Sequence, residues 1–182
     1  MKSRRKPPAG RRLVIKNVNC KLTNCKYINM ARKSRNINLI VIHCSATRFM
    51  LDYSPDMMLR DHRARGFNSW AYHFYIRKSG QRVALRPLEL VGAHVTGFNR
   101  GSIGICYEGG CDNSGKAKDT RTLQQKDAIV ALLKELVHHY PDAEICGHRD
   151  LSPDKDGDGV IEPNEWIKMC PCFDARKEYK NI

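Results

Sequence analysis

The sequence predicts a single α/β domain, a mixed central β-sheet flanked by helices. Three observations carry this expectation. Short apolar runs of the kind found in buried strands alternate with stretches of helical periodicity. Helix-capping signals stand at suitable offsets before the helical stretches. The length of 182 residues and the 41% hydrophobic content suit one domain with its own core and exclude global disorder.

The elements follow in order. Residues 39–42 form a continuous apolar run that ends at His43, as in a strand covered on both faces. Ser54-Pro55-Asp56 reads as a helix start: a capping side chain, proline in the first turn, and an acid near the positive helix end. That helix should stop at Gly66. Residues 71–78 and 81–85 flank Ser79-Gly80 and predict a hairpin, in whose first strand Tyr72, Phe74 and Ile76 would share one face. Residues 102–108 predict another strand, and 109–119 a polar, glycine-rich loop. Thr122 caps the strongest helix, in which Ile129, Leu132, Leu133, Leu136, Val137 and Tyr140 form one stripe before Pro141. Residues 143–147 predict a short strand that delivers His148, and Asp174 can cap a final short helix.

Net charge is +13, but its location matters more than its size. Residues 1–29 hold nine Lys/Arg and no acid, which leaves 23 basic against 19 acidic residues in the rest. Residues 1–35 are therefore expected to be a basic, poorly ordered extension, and residues 36–182 the domain. Such an extension suits any polyanion, so contact with nucleic acid is expected only through this tail, if at all. No apolar run approaches the ~18 residues of a membrane helix. No secretory signal is visible either, so synthesis in the cytoplasm is expected. The eight cysteines fall short of a disulfide scaffold and are read as reduced, with Cys106 and Cys146 as small buried hydrophobes and Cys20 with Cys25 as incidental.

His43 and His148 each end a predicted strand, where functional groups gather in α/β sheets. Cys170 follows in Lys168-Met169-Cys170-Pro171-Cys172. Two imidazoles and a thiolate suit zinc, and three protein ligands leave a fourth position for water. A single strand-end histidine is most often structural; the combination shifts the balance. Cys172 is a rival to Cys170. His73 is read as structural, His62 as solvated, and His138 with His139 as closing a helix. Residues 154–165 match the calcium-loop pattern at every specified position. Asp154, Asp156 and Asp158 would supply oxygens, Gly159 the sharp turn, Val160 a backbone carbonyl and Glu165 a bidentate carboxylate. Pro163 and the lack of a preceding helix argue against it. A structural Ca2+ is thus a second candidate ion beside Zn2+, expected to stiffen the insertion that positions Lys168 and Cys170.

Val41-Ile42-His43-Cys44-Ser45-Ala46-Thr47, Trp70-Ala71-Tyr72-His73-Phe74, Gly92-Ala93-His94 with Asn99 and Ser102-Ile103-Gly104-Ile105-Cys106, Gly147-His148-Arg149-Asp150, and Lys168-Met169-Cys170-Pro171 occur in that order. Together they resemble the motifs of the type 2 N-acetylmuramoyl-L-alanine amidases, the superfamily of the T-odd coliphage lysozymes and the peptidoglycan recognition proteins. The resemblance spans residues 36–173. It implies zinc held by His43, His148 and Cys170, and cleavage of the amide between N-acetylmuramic acid and L-alanine in peptidoglycan. Lys168 would stabilise the oxyanion and Tyr72 would act on the attacking water or the intermediate, while His94 and Asn99 would line the substrate groove. Other branches place a glutamate where this chain has Cys106, which points to the tyrosine-using branch.

As implied by the resemblance, the chain should act on the cell wall as a monomer, as an endolysin or wall-remodelling enzyme, released by a holin-type or another route. Two alternatives differ in class. One is a non-catalytic peptidoglycan-binding module, against which Cys170 and Lys168 argue. The other is an amidase with a second, regulatory role such as RNA polymerase inhibition, known among phage relatives.

Overall fold

The computed structural model describes residues 35–182. The basic extension, with Cys20 and Cys25, lies outside the described residues, apart from Arg35. Arg35 already belongs to the domain: its Nε donates to Leu88 O at 2.9 Å.

Five strands build one sheet in the order β4-β3-β5-β1-β7. They are β1 (Leu39–Cys44), β3 (Phe74–Ile76), β4 (Arg82–Ala84), β5 (Ser102–Tyr107) and β7 (Glu144–Gly147). β1 pairs in parallel with both β5 and β7, β3 is parallel to β5, and only β3–β4 is antiparallel, so the sheet is mixed as expected. Parallel pairing buries both faces of β1, which explains its unbroken apolar run. A separate parallel pair joins β2 (Thr47–Arg48) to β6 (Gly110–Cys111). This pair was not expected, because two-residue strands leave no periodicity to read.

Strand alternation divides the two faces. Ile40, Ile42, Ile103, Ile105, Phe74 and Ile76 pack on one face against α2 (Leu123–His139) through Ile129, Leu132, Leu133 and Leu136. Val41, His43, Gly104, Cys106 and Cys146 take the alternate positions and face away from α2. Thr122 caps α2 as expected, in a capping box with Gln125. Leu133→Ala is expected to cost about 2–5 kcal/mol, measurable as a lower urea midpoint with an unchanged slope. A midpoint that does not move would remove this stripe from the core.

The opposite face is covered by α1 (Pro55–Ala64) and the loops around it. Ser54 caps α1, with its Oγ accepting from Met57 N. The fully buried Glu108 fixes the segment that leads into α1: it accepts from Tyr53 N at 2.8 Å and from Arg77 Nε at 2.8 Å. α3 (Ala175–Glu178) begins at Asp174, whose side chain accepts from Lys177 N.

The predicted hairpin is present but shorter than expected. β3 starts only at Phe74, and residues 70–73 run as an irregular bend. Tyr72 therefore escapes the alternation. It packs with Tyr53, Met58, Tyr75 and Cys106, on the face opposite Phe74 and Ile76.

Candidate active site

The C-terminal end of β1 delivers His43, and the end of β7 runs directly into a short 3₁₀ turn, His148–Leu151. The two strands are neighbours, so the two histidines meet: His43 Nδ1 lies 3.1 Å from His148 Nδ1. Cys170 Sγ lies 3.8 Å from His43 Nδ1. Main-chain bonds bring it there. Arg149 N donates to Cys170 O at 2.8 Å, and Tyr107 Oη donates to Pro171 O at 2.7 Å. Gly147 permits the close approach, since a Cβ there would stand 2.5 Å from Pro171 Cδ. Cys172 turns away toward Cys44 and Gly110 O, which leaves Cys170 as the sulfur beside the two histidines.

The three donor atoms lie within 4.8 Å of one another. Zinc bonds of about 2.0–2.1 Å to nitrogen and about 2.3 Å to sulfur imply tetrahedral edges of roughly 3.3 and 3.6 Å. The observed separations fit such a set. Its electrostatics fit too. Burial drives the His43 imidazole well below its ordinary value, and burial with the nearby Lys168 charge pushes His148 down to about 4. Both rings are therefore neutral at neutral pH with lone pairs available. The Cys170 sulfur accepts a hydrogen bond from Cys44 N at 3.2 Å.

His148 and Cys170 line a cleft of about 440 Å³, while His43 is fully buried. Tyr72 lines it, with its ring 5.1 Å from that of His43, and burial pushes its phenol well above the ordinary value. Lys168 stands exposed at the mouth between Ile167 and Met169. Of the described residues that line the cleft, none is acidic, and Arg65 and Lys168 are both cationic.

The sequence profile of the family described as N-acetylmuramoyl-L-alanine amidase matches residues 33–160. The chain belongs to this amidase family. The amidase is 34% identical over 148 residues to an endolysin of Enterobacteria phage K11, an alignment covering 81% of this chain and 89% of that one. It resembles the solved N-acetylmuramoyl-L-alanine amidase LysC from Clostridium intestinale URNW at 28% identity and a TM-score of 0.60, covering 80% and 83% of the two chains. Drosophila PGRP-LB, at 22% identity, a TM-score of 0.59 and coverage of 81% and 82%, shares the fold. By family and by these relatives the protein is an N-acetylmuramoyl-L-alanine amidase. The matched profile ends before Lys168 and Cys170, so the placement of those two rests on the geometry above.

Other residues of the amidase stand as follows. His94 and Asn99 both line the cleft, yet each also faces inward. Asn99 Oδ1 accepts from the main-chain N of His94 and Val95 at 2.8 and 2.9 Å. His94 is buried, and burial with the neighbouring His73 and His148 pushes its imidazole down to about 2. His73 is structural as expected: its Nδ1 accepts from Gly104 N at 3.0 Å. His62 corrects the expectation of a solvated residue. It is 2% exposed, accepts from Ala71 N at 3.2 Å and packs against Tyr72. The missed signal was its i+4 spacing from Met58, the other buried residue of α1. Arg65 and Phe67, also unforeseen, line the cleft where α1 ends.

The loop at 154–165 gathers Asp154, Asp156 and Glu165 in one group and Asp156, Asp158 and Glu162 in another. Its carboxylates already accept from the loop's own main chain. Asp154 accepts from Gly157 and Gly159, Asp158 from Val160, and the buried Glu165 from Lys155 and Glu162. The calcium expectation therefore gains no support beyond the sequence pattern, and the loop stands as an internally hydrogen-bonded acidic turn.

Burial holds both His62 and His73 down at about 4, against 6.5 for the free side chain. Between these values the unfolded chain binds protons that the native one refuses. Stability is then complete above pH 6.5 and is lost as pH falls toward 4. The urea midpoint should decline over that window; a midpoint constant from pH 7 to 4.5 would contradict the assignment.

Proposed function

We propose that this amidase is zinc-dependent, with the ion held by His43, His148 and Cys170. In this reading it cleaves the bond between N-acetylmuramic acid and L-alanine in peptidoglycan. The observation that carries it is the convergence of His43 Nδ1, His148 Nδ1 and Cys170 Sγ, with His148 and Cys170 lining the cleft. A zinc ion there supplies Lewis acidity and a source of hydroxide at neutral pH. Lys168 places an ammonium close enough to lower the proton affinity of both His43 and His148. It would stabilise the negative charge that develops on the carbonyl oxygen of the scissile amide. Tyr72, a neutral phenol beside His43, would hydrogen-bond to the attacking water and orient it toward the carbonyl carbon.

The relationship to phage endolysins supports a lytic role at the cell wall. Among the described residues, no helix is long and apolar enough to cross a membrane.

Incubation of the purified protein with sacculi tests this reading. It should release new N-terminal L-alanine without new reducing sugar ends, and a chelator should stop the release until zinc is returned. Activity that survives complete removal of metal, or the appearance of reducing ends, would overturn it.

A further inference from the structure

We infer that His94 is a positioning residue for His43, fixing its tautomer and ring plane and so setting how tightly the centre holds its ion. The inference rests on the proposed zinc reading. With Nδ1 turned toward His148 and Cys170, His43 carries its proton on Nε2. That nitrogen lies 3.0 Å from His94 Nδ1, in the buried interior beneath the cleft floor. His43 Nε2–H therefore donates to His94 Nδ1, which leaves the His94 proton on Nε2. That proton faces Ser102 Oγ at 3.3 Å. The chain His43–His94–Ser102 thus has one consistent direction, with every donor aimed at an acceptor.

Three further features hold His94 in place. A Cβ at Gly104 would stand 2.6 Å from the imidazole of His94, and one at Gly92 would stand 2.5 Å from it. The ring occupies a slot that only two glycines leave open. Asn99 Oδ1 anchors the main chain of His94 and Val95, as described above. The two imidazoles cross nearly at right angles, at 82° with centroids 5.0 Å apart, so the contact runs through an edge nitrogen and not through stacking. His148 has no such partner on its remaining nitrogen among the described residues, so this support is specific to His43.

A hydrogen-bond acceptor behind a ligating imidazole orients the ring and raises its basicity, and losing one typically weakens metal binding by about 10–100-fold. In His94→Phe, zinc affinity measured by chelator competition should fall by about that factor. His94→Asn offers an amide oxygen near the position of Nδ1 and should recover most of the affinity. A second measurement needs no variant: in the zinc-loaded wild type, long-range 1H–15N correlations should place the protons of both His43 and His94 on Nε2.

A folded His94→Phe with unchanged zinc affinity and a raised KM would overturn the inference and make His94 a substrate contact. A His94 proton on Nδ1 would overturn it as well. A wild-type protein that binds no zinc would overturn the zinc reading itself, a result distinguishable from either of these.

Discussion

Cys170→Ser is expected to abolish tight zinc binding and, with it, hydrolysis. A hydroxyl is a far poorer zinc ligand than a thiolate. The loss should exceed the roughly 10–100-fold expected when a partner behind a ligand is removed. The main chain around the residue should hold, because two of its anchors do not involve the sulfur, which accepts from Cys44 N. Arg149 N still reaches Cys170 O, and Tyr107 Oη still reaches Pro171 O. A folded, metal-free and inactive protein is therefore the expected result. Metal analysis after dialysis and a sacculus-clearing assay check it together. Stoichiometric zinc with full turnover would remove Cys170 from the centre.

Lys168→Ala should behave in the opposite way, keeping the metal while losing turnover. The side chain is exposed at the cleft mouth, so stability should change by only about 0.5 kcal/mol. In the proposed function its charge would act on an oxygen that becomes negative only as the amide is attacked. Removing one such electrostatic contact typically lowers kcat by about 10²–10³. KM should move little, since the contact strengthens with the developing charge. Steady-state kinetics on a defined muropeptide, with zinc content measured in parallel, separates this from a ligand defect. An unchanged kcat would leave Lys168 a solvated lysine with no part in the chemistry.

Much of the architecture was legible because its residues obey simple periodicities. In the unbroken run at 39–42, Ile40 and Ile42 pack against the stripe from Ile129 to Leu136, and Leu39 and Val41 pack on the other face. Thr122 and Asp174 cap the helices they were expected to cap. The three proposed ligands were named from the strand ends at His43 and His148 and from the order of the motifs. What the sequence hid lies in irregular chain. Tyr72 stands in a bend before β3, so an alternation that holds for Phe74 and Ile76 assigned it to the wrong face. His62 looked solvated beside Arg60 and Arg63, yet the spacing from Met58 turns it inward. His94 was legible as part of a groove. Its contact with His43 bridges 51 positions of chain and depends on two glycines whose role is only spatial.

The donors of the proposed zinc site are scattered along the polypeptide: His148 lies 105 positions, and Cys170 127 positions, beyond His43. A ribosome that has emitted both imidazoles has still not made the thiolate. If these three residues hold zinc as proposed, a product that stops short of Cys170 lacks one of the three donors.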